Sequence, residues 1–159
     1  MRLDGPWSAA EIEAFLAAAV IPVRLGVVAP SGDPLVLSVW FLPEDGALWC
    51  ATKATSRLVA CLRHRPRCAF EVAADAPPYR GVRGRGDATV DPAQGAAVLA
   101  RLLDRYGIAR DSRLARMLTK HPEREVAIRI APDRMTSWDY AARMADAVGA
   151  TRREEGVPS

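Results

Sequence analysis

The feature that most constrains this fold is a strand with two apolar faces. In the run Leu35–Leu42, Val36, Trp40 and Leu42 fall on one face with Ser38, and Leu37, Val39 and Phe41 fall on the other. A half-buried strand alternates apolar with polar residues, whereas one that is apolar on both sides is covered on both. One cover is a barrel core. The other is a helix, a ligand or another subunit. Pro43-Glu44-Asp45-Gly46 then gives a tight turn into a second strand, Ala47–Thr52. The loop Lys53–Arg57 follows directly and leads into a helix over Ser56–Arg65, which Pro66 ends. This loop sets an ammonium (Lys53), two hydroxyls (Thr55, Ser56) and a guanidinium (Arg57) at a helix N-terminus. Spare backbone N–H groups and the positive end of the helix dipole make that position a ready anion site. A buried aromatic strand beside such a loop suits a flat, phosphorylated ligand. The plainer alternative is a solvated loop in which Ser56 serves only as an N-cap, with Trp40 and Phe41 both in the core.

The rest of the chain narrows the class. Its 159 residues, half of them hydrophobic, suffice for one domain, taken as 1–150, and no linker or repeat divides them. The net charge of +3 comes from scattered arginines, not from a basic stripe, so no nucleic-acid partner is expected. The three cysteines, Cys50, Cys61 and Cys68, form no Cys-x-x-Cys pair, which fits buried thiols in a reduced, cytoplasmic setting. His64 and His121 lack ligand-like neighbours, so neither a zinc site nor a Ser/His/Asp triad is expected. The apolar run Phe15–Val23 is too short to span a bilayer, and no membrane partner is expected.

In chain order, Ser8 and Glu11 have capping-box spacing, predicting a helix over residues 8–19 with Ile12, Phe15 and Leu16 inward. Val23–Ala29 reads as a strand, as does Arg67–Ala73. Tyr79–Val90 reads as a long strand whose Gly81, Gly84 and Gly86 open no helix and so mark bulges or close approaches, not a dinucleotide site. A helix from Asp91-Pro92 to Tyr106 carries Val98, Leu99, Leu102 and Leu103 inward, and a short one covers Ser112–Thr119. Glu125–Ile130 is the last predicted strand. Pro132–Tyr140 is read as a loop, Ala141–Val148 as helical, and 151–159 as a disordered tail. Six strands with helices inserted late give a mainly β fold with peripheral helices: an antiparallel barrel.

Several short motifs occur in succession: Val39-Trp40-Phe41, Asp45-Gly46, Thr55-Ser56-Arg57, Arg65-Pro66-Arg67, Pro78-Tyr79-Arg80-Gly81-Val82 and Ser137-Trp138-Asp139-Tyr140. Their order and spacing resemble the FMN-binding split-barrel family, whose best-known members are the pyridoxamine 5'-phosphate oxidases. The resemblance implies a six-stranded antiparallel split barrel and a homodimer with two cofactors at the subunit interface. It implies FMN, or alternatively the deazaflavin coenzyme F-420, as hydride carrier to or from a small-molecule substrate. By the same resemblance the cofactor phosphate is held by Lys53, Thr55, Ser56 and Arg57. The ring lies along Val39, Trp40 and Phe41, with Arg80 or Trp138 reaching over from the partner. Leu58 stands where many relatives carry a lysine, which leaves Arg57 and Lys53 as the cations. No catalytic acid–base pair is legible, as befits a reaction carried by a cofactor. Two other readings stand beside the oxidoreductase: a non-catalytic split barrel that binds flavin or haem, and a dimeric barrel with no cofactor.

Overall fold

The computed structural model describes residues 1–146. Its strands are β1 (Arg2–Asp4), β2 (Val23–Val28), β3 (Pro34–Val39), β4 (Leu42–Glu44), β5 (Ala47–Lys53), β6 (Arg67–Ala73), β7 (Arg80–Asp91) and β8 (Glu125–Asp139). Its helices are α1 (Ala9–Ala18), α2 (Arg57–His64), α3 (Gly95–Arg105) and α4 (Arg113–Thr119), followed after β8 by a 3-10 turn at Ala142–Met144. The strands form one sheet in the order β3-β2-β6-β7-β8-β5-β4, antiparallel throughout, with β1 added parallel to β8. This is the mainly antiparallel split barrel with peripheral helices that the sequence implies. The six expected strands are all present; β1 and β4 are additions.

The doubly apolar run is not one strand. β3 and β4 lie at opposite ends of the hydrogen-bonded path, although only Trp40 and Phe41 separate them in the chain. Those two residues carry the chain across the seam where the barrel splits. The alternation of side chains gives no sign of this, because it continues through the crossing. In place of a ladder, the Phe41 N–H donates to the Tyr106 hydroxyl (3.2 Å), which itself donates to the Ile21 carbonyl (2.9 Å). β3 is also less covered than a doubly apolar strand suggests: Val36 is 70% exposed on its outer side.

A second difference concerns the end of the chain. The predicted loop Pro132–Tyr140 is the second half of β8, which runs on to Asp139 beside β7. Pro132 looks like a strand terminator, since it cannot donate to a ladder. It is tolerated because it sits at a register shift next to Arg85/Gly86, where pairing lapses. Gly86 makes the shift possible: a Cβ there would stand 2.1 Å from the Ala131 carbonyl oxygen. The predicted helix Ala141–Val148 is described as far as residue 146 and opens with a 3-10 turn at Ala142–Met144; its last two residues and the tail 151–159 lie outside the described residues.

The barrel interior is filled by Val23, Leu25, Val27, Phe70, Val72, Val82, Ile128 and Ile130, and Leu58, Val59 and Leu62 of α2 join the same core. α3 packs outside β5 and β8, where Val98 and Leu102 meet Leu42, Ala127, Trp40 and Trp49. α1 begins with the expected capping box: the Glu11 carboxylate accepts from the Ser8 N–H (2.7 Å). Its other end is tied to α3 by Arg105, whose guanidinium donates to the carbonyls of Leu16, Ala17 and Ala19.

Candidate functional site

The loop Lys53–Arg57 leads into α2 where the sequence puts it, and its polar side chains have different surroundings. Ser56 is the N-cap of α2; its hydroxyl accepts from the Val59 N–H at 3.3 Å. Thr55 is exposed, and Arg57, the first helical residue, is exposed with no hydrogen bond or ion pair to any described residue. Lys53 is engaged elsewhere. Cross-strand register sets it beside Glu125, and its Nζ donates to Oε1 at 2.9 Å. Leu58 is buried in the core. Arg57 is therefore the cation left free at this helix start.

Beside the loop lies a cleft of about 370 Å³ between β3, the end of β5, α3 and α4. Val39, Trp40, Leu99, Leu102, Leu114 and Leu118 make its apolar lining, with Trp40 packed against the α3 clusters that hold Leu99 and Leu102. Trp40 is held flat by Tyr106: the rings stack at 4.9 Å and 18°. Burial pushes the Tyr106 phenol above its usual pKa, so the neutral hydroxyl that spans the seam persists well above neutrality. Lys53, Glu125, Ser38 and Thr52 are its polar lining. Two larger hollows lie elsewhere, about 540 Å³ beneath α1 and about 530 Å³ on the outer face of the sheet. Neither is lined by Trp40 or by any residue of the loop Lys53–Arg57.

The sequence-predicted residues thus divide. Val39, Trp40 and Lys53 line one cleft. Thr55, Ser56 and Arg57 follow Lys53 directly. Phe41 points the other way; it is fully buried in the barrel core, with the Arg105 guanidinium 5.3 Å from its ring centre. Arg80 opens β7 opposite Asp139, and Trp138 stands opposite Gly81 near the end of β8 far from Glu125, so the two lie at the same end of the sheet but on opposite faces. Trp138 belongs to a strand, not to the loop expected from the sequence. Its ring occupies the space a Cβ at Gly81 would need, 2.7 Å away, and Arg83 lies 5.7 Å from its centre. Within one chain these two residues do not meet the cleft.

Sequence reasoning missed Glu125, Tyr106, Leu114 and Leu118. Glu125 does carry a signal, an acid opening an otherwise apolar strand, but its partner lies 72 residues away. No cluster of His, Cys, Asp and Glu suited to a metal occurs among the described residues. Cys50, Cys61 and Cys68 are all free and buried, and burial pushes the Cys68 thiol up to about 11, which makes it inert at neutral pH.

Residues 8–137 match the family model described as pyridoxamine 5'-phosphate oxidase. The chain belongs to this family. No curated protein matches the sequence. Among solved structures, a conserved hypothetical protein from Mycobacterium tuberculosis is 27% identical with a TM-score of 0.71, covering 97% of this chain and 91% of that one. An F-420 reductase is 22% identical (TM-score 0.64; 76% of this chain, 92% of that one). An FAD-binding protein from Mesorhizobium loti is 20% identical (TM-score 0.58; 82% and 93%). The last two show the shared split-barrel fold. Among the described residues no helix is long and apolar enough to cross a membrane.

Proposed function

We propose that this member of the pyridoxamine 5'-phosphate oxidase family is a homodimeric oxidoreductase. In this reading it binds FMN, or the deazaflavin coenzyme, and passes hydride to or from a small organic molecule. The observation that carries the reading is the pairing of a flat aromatic wall, Trp40 on Tyr106, with a helix start whose arginine is uncommitted. The residues fit such a group. The cleft of about 370 Å³ has room for a planar ring beside Trp40, and its leucines give it an apolar lining. Arg57 and the Thr55 hydroxyl would hold the phosphate, while Ser56 keeps the helix start in shape.

A bound flavin or deazaflavin supplies the hydride chemistry. The protein orients the ring, holds its phosphate and keeps the cleft apolar. Arg80 and Trp138 can serve this site only from a second copy of the chain. The open outer side of β3, with Val36 exposed, supports a partner subunit there.

Gently purified protein should carry a chromophore with a flavin or deazaflavin absorption and mass spectrum, bleached by a suitable reductant and restored by substrate. Protein that neither retains nor takes up either cofactor contradicts the proposal. Protein that binds cofactor but never exchanges hydride is the non-catalytic alternative.

A further inference from the structure

The Lys53–Glu125 pair lies in the lining of the Trp40 cleft, joined by one hydrogen bond. Glu125 is 4% exposed and the Lys53 side chain 50%, so the pair sits at the boundary of the apolar interior. Of the three donors on an ammonium, one is spent on Glu125 Oε1; the other carboxylate oxygen accepts nothing from the described residues. A purely anionic ligand group would be repelled by Glu125, and a cationic one by Lys53. Separating the pair would strand a buried carboxylate, which is strongly unfavourable. The group that satisfies both residues without separating them presents an acceptor and a donor side by side. The apolar walls and the flat Trp40 surface require the rest of that molecule to be planar and uncharged where it enters.

We infer that Lys53 and Glu125 read the imide edge of a flat heterocycle, Lys53 donating to a ring carbonyl and Glu125 accepting the adjacent ring N–H. This rests on the cofactor reading above, and it selects the pyrimidinedione edge that flavins and deazaflavins share. It makes Lys53 and Glu125 recognition residues for the ring, not for the phosphate.

Methylating the ring nitrogen removes that N–H and leaves the rest of the ligand unchanged. FMN and its 5-deaza analogue, each beside its N3-methyl derivative, are titrated by fluorescence against the wild type. The same titrations are run on Glu125→Gln and on the double variant Lys53→Met/Glu125→Leu, which replaces the pair by apolar side chains of similar volume. Thermal melts check that each variant folds. The wild type should prefer a parent ligand over its methyl derivative by about 10- to 100-fold, the scale of a charge-assisted hydrogen bond. In the double variant that preference should fall to near unity, and in Glu125→Gln it should shrink. A wild type that binds parent and methyl derivative equally overturns the inference and leaves the cofactor reading standing. An undiminished preference in the double variant also overturns it, because another group then reads the edge. If neither parent ligand binds the wild type, the cofactor reading fails and the inference fails with it.

Discussion

Trp40 and Phe41 are neighbours in sequence with opposite surroundings. Trp40 stacks on Tyr106 at the cleft, while Phe41 has no exposed surface. Replacement by alanine should separate them. Phe41→Ala leaves a core cavity and should cost roughly 3–5 kcal/mol of stability. Trp40→Ala should cost less stability and weaken cofactor binding at least tenfold, by removing the ring's support. Chemical denaturation and flavin titration of both variants check this. If Trp40→Ala binds normally and only loses stability, the ring is structural and the cleft is not the site. At this scale the sequence carried the residue types but not their assignments. Alternation put Trp40 and Phe41 on opposite faces without saying which face was open. Lys53 is diverted by an acid 72 positions away, a contact set by cross-strand register and invisible to local pattern.

At the scale of elements, local signals did well. The capping box of α1, the Ser56 cap of α2 and the inward leucines of α3 follow from spacing alone. Two breaks were hidden: the β3–β4 crossing, because apolar alternation runs through it, and the second half of β8, because Pro132 resembles an end. The register shift near Pro132 is braced by Asp133, which pairs with Arg67 and Arg85. The Arg67 hydrogen bond holds the Asp133 carboxyl below its usual pKa. A depressed carboxylate stabilises the fold above its unfolded pKa, and this contribution is lost as pH falls through the folded value. Asp133→Asn should therefore melt below the wild type at neutral pH, with the gap closing as pH drops below the ordinary aspartate value of 3.8. Melting curves from pH 7 downward test this. A gap that stays constant would mean that the bracing is not electrostatic. Gly86→Ala should lower the melting temperature more than Asp133→Asn, because its Cβ would meet backbone, not a movable side chain.

For the whole molecule, the barrel class was legible because six strands could be counted. The sheet order was not, since pairing joins elements far apart in the chain. What remains outside a single chain is the cover over the outer sheet face, where Val36 stands open above Gly26 and Ala69. Light scattering at micromolar concentration should give the mass of a dimer, and a monomeric mass would remove Arg80 and Trp138 from any role at the cleft. The central claim is that the Trp40 cleft and the α2 start together hold a phosphorylated flavin-type ring, and Arg57 is its sharpest point, as the cation left free there. The most direct test titrates FMN and riboflavin, in parallel, against the wild type and Arg57→Ala. Arg57→Ala should weaken FMN binding by about 10- to 100-fold and riboflavin far less, because riboflavin offers no phosphate to hold. Equal losses for the two ligands, or wild-type protein that binds neither, would contradict it.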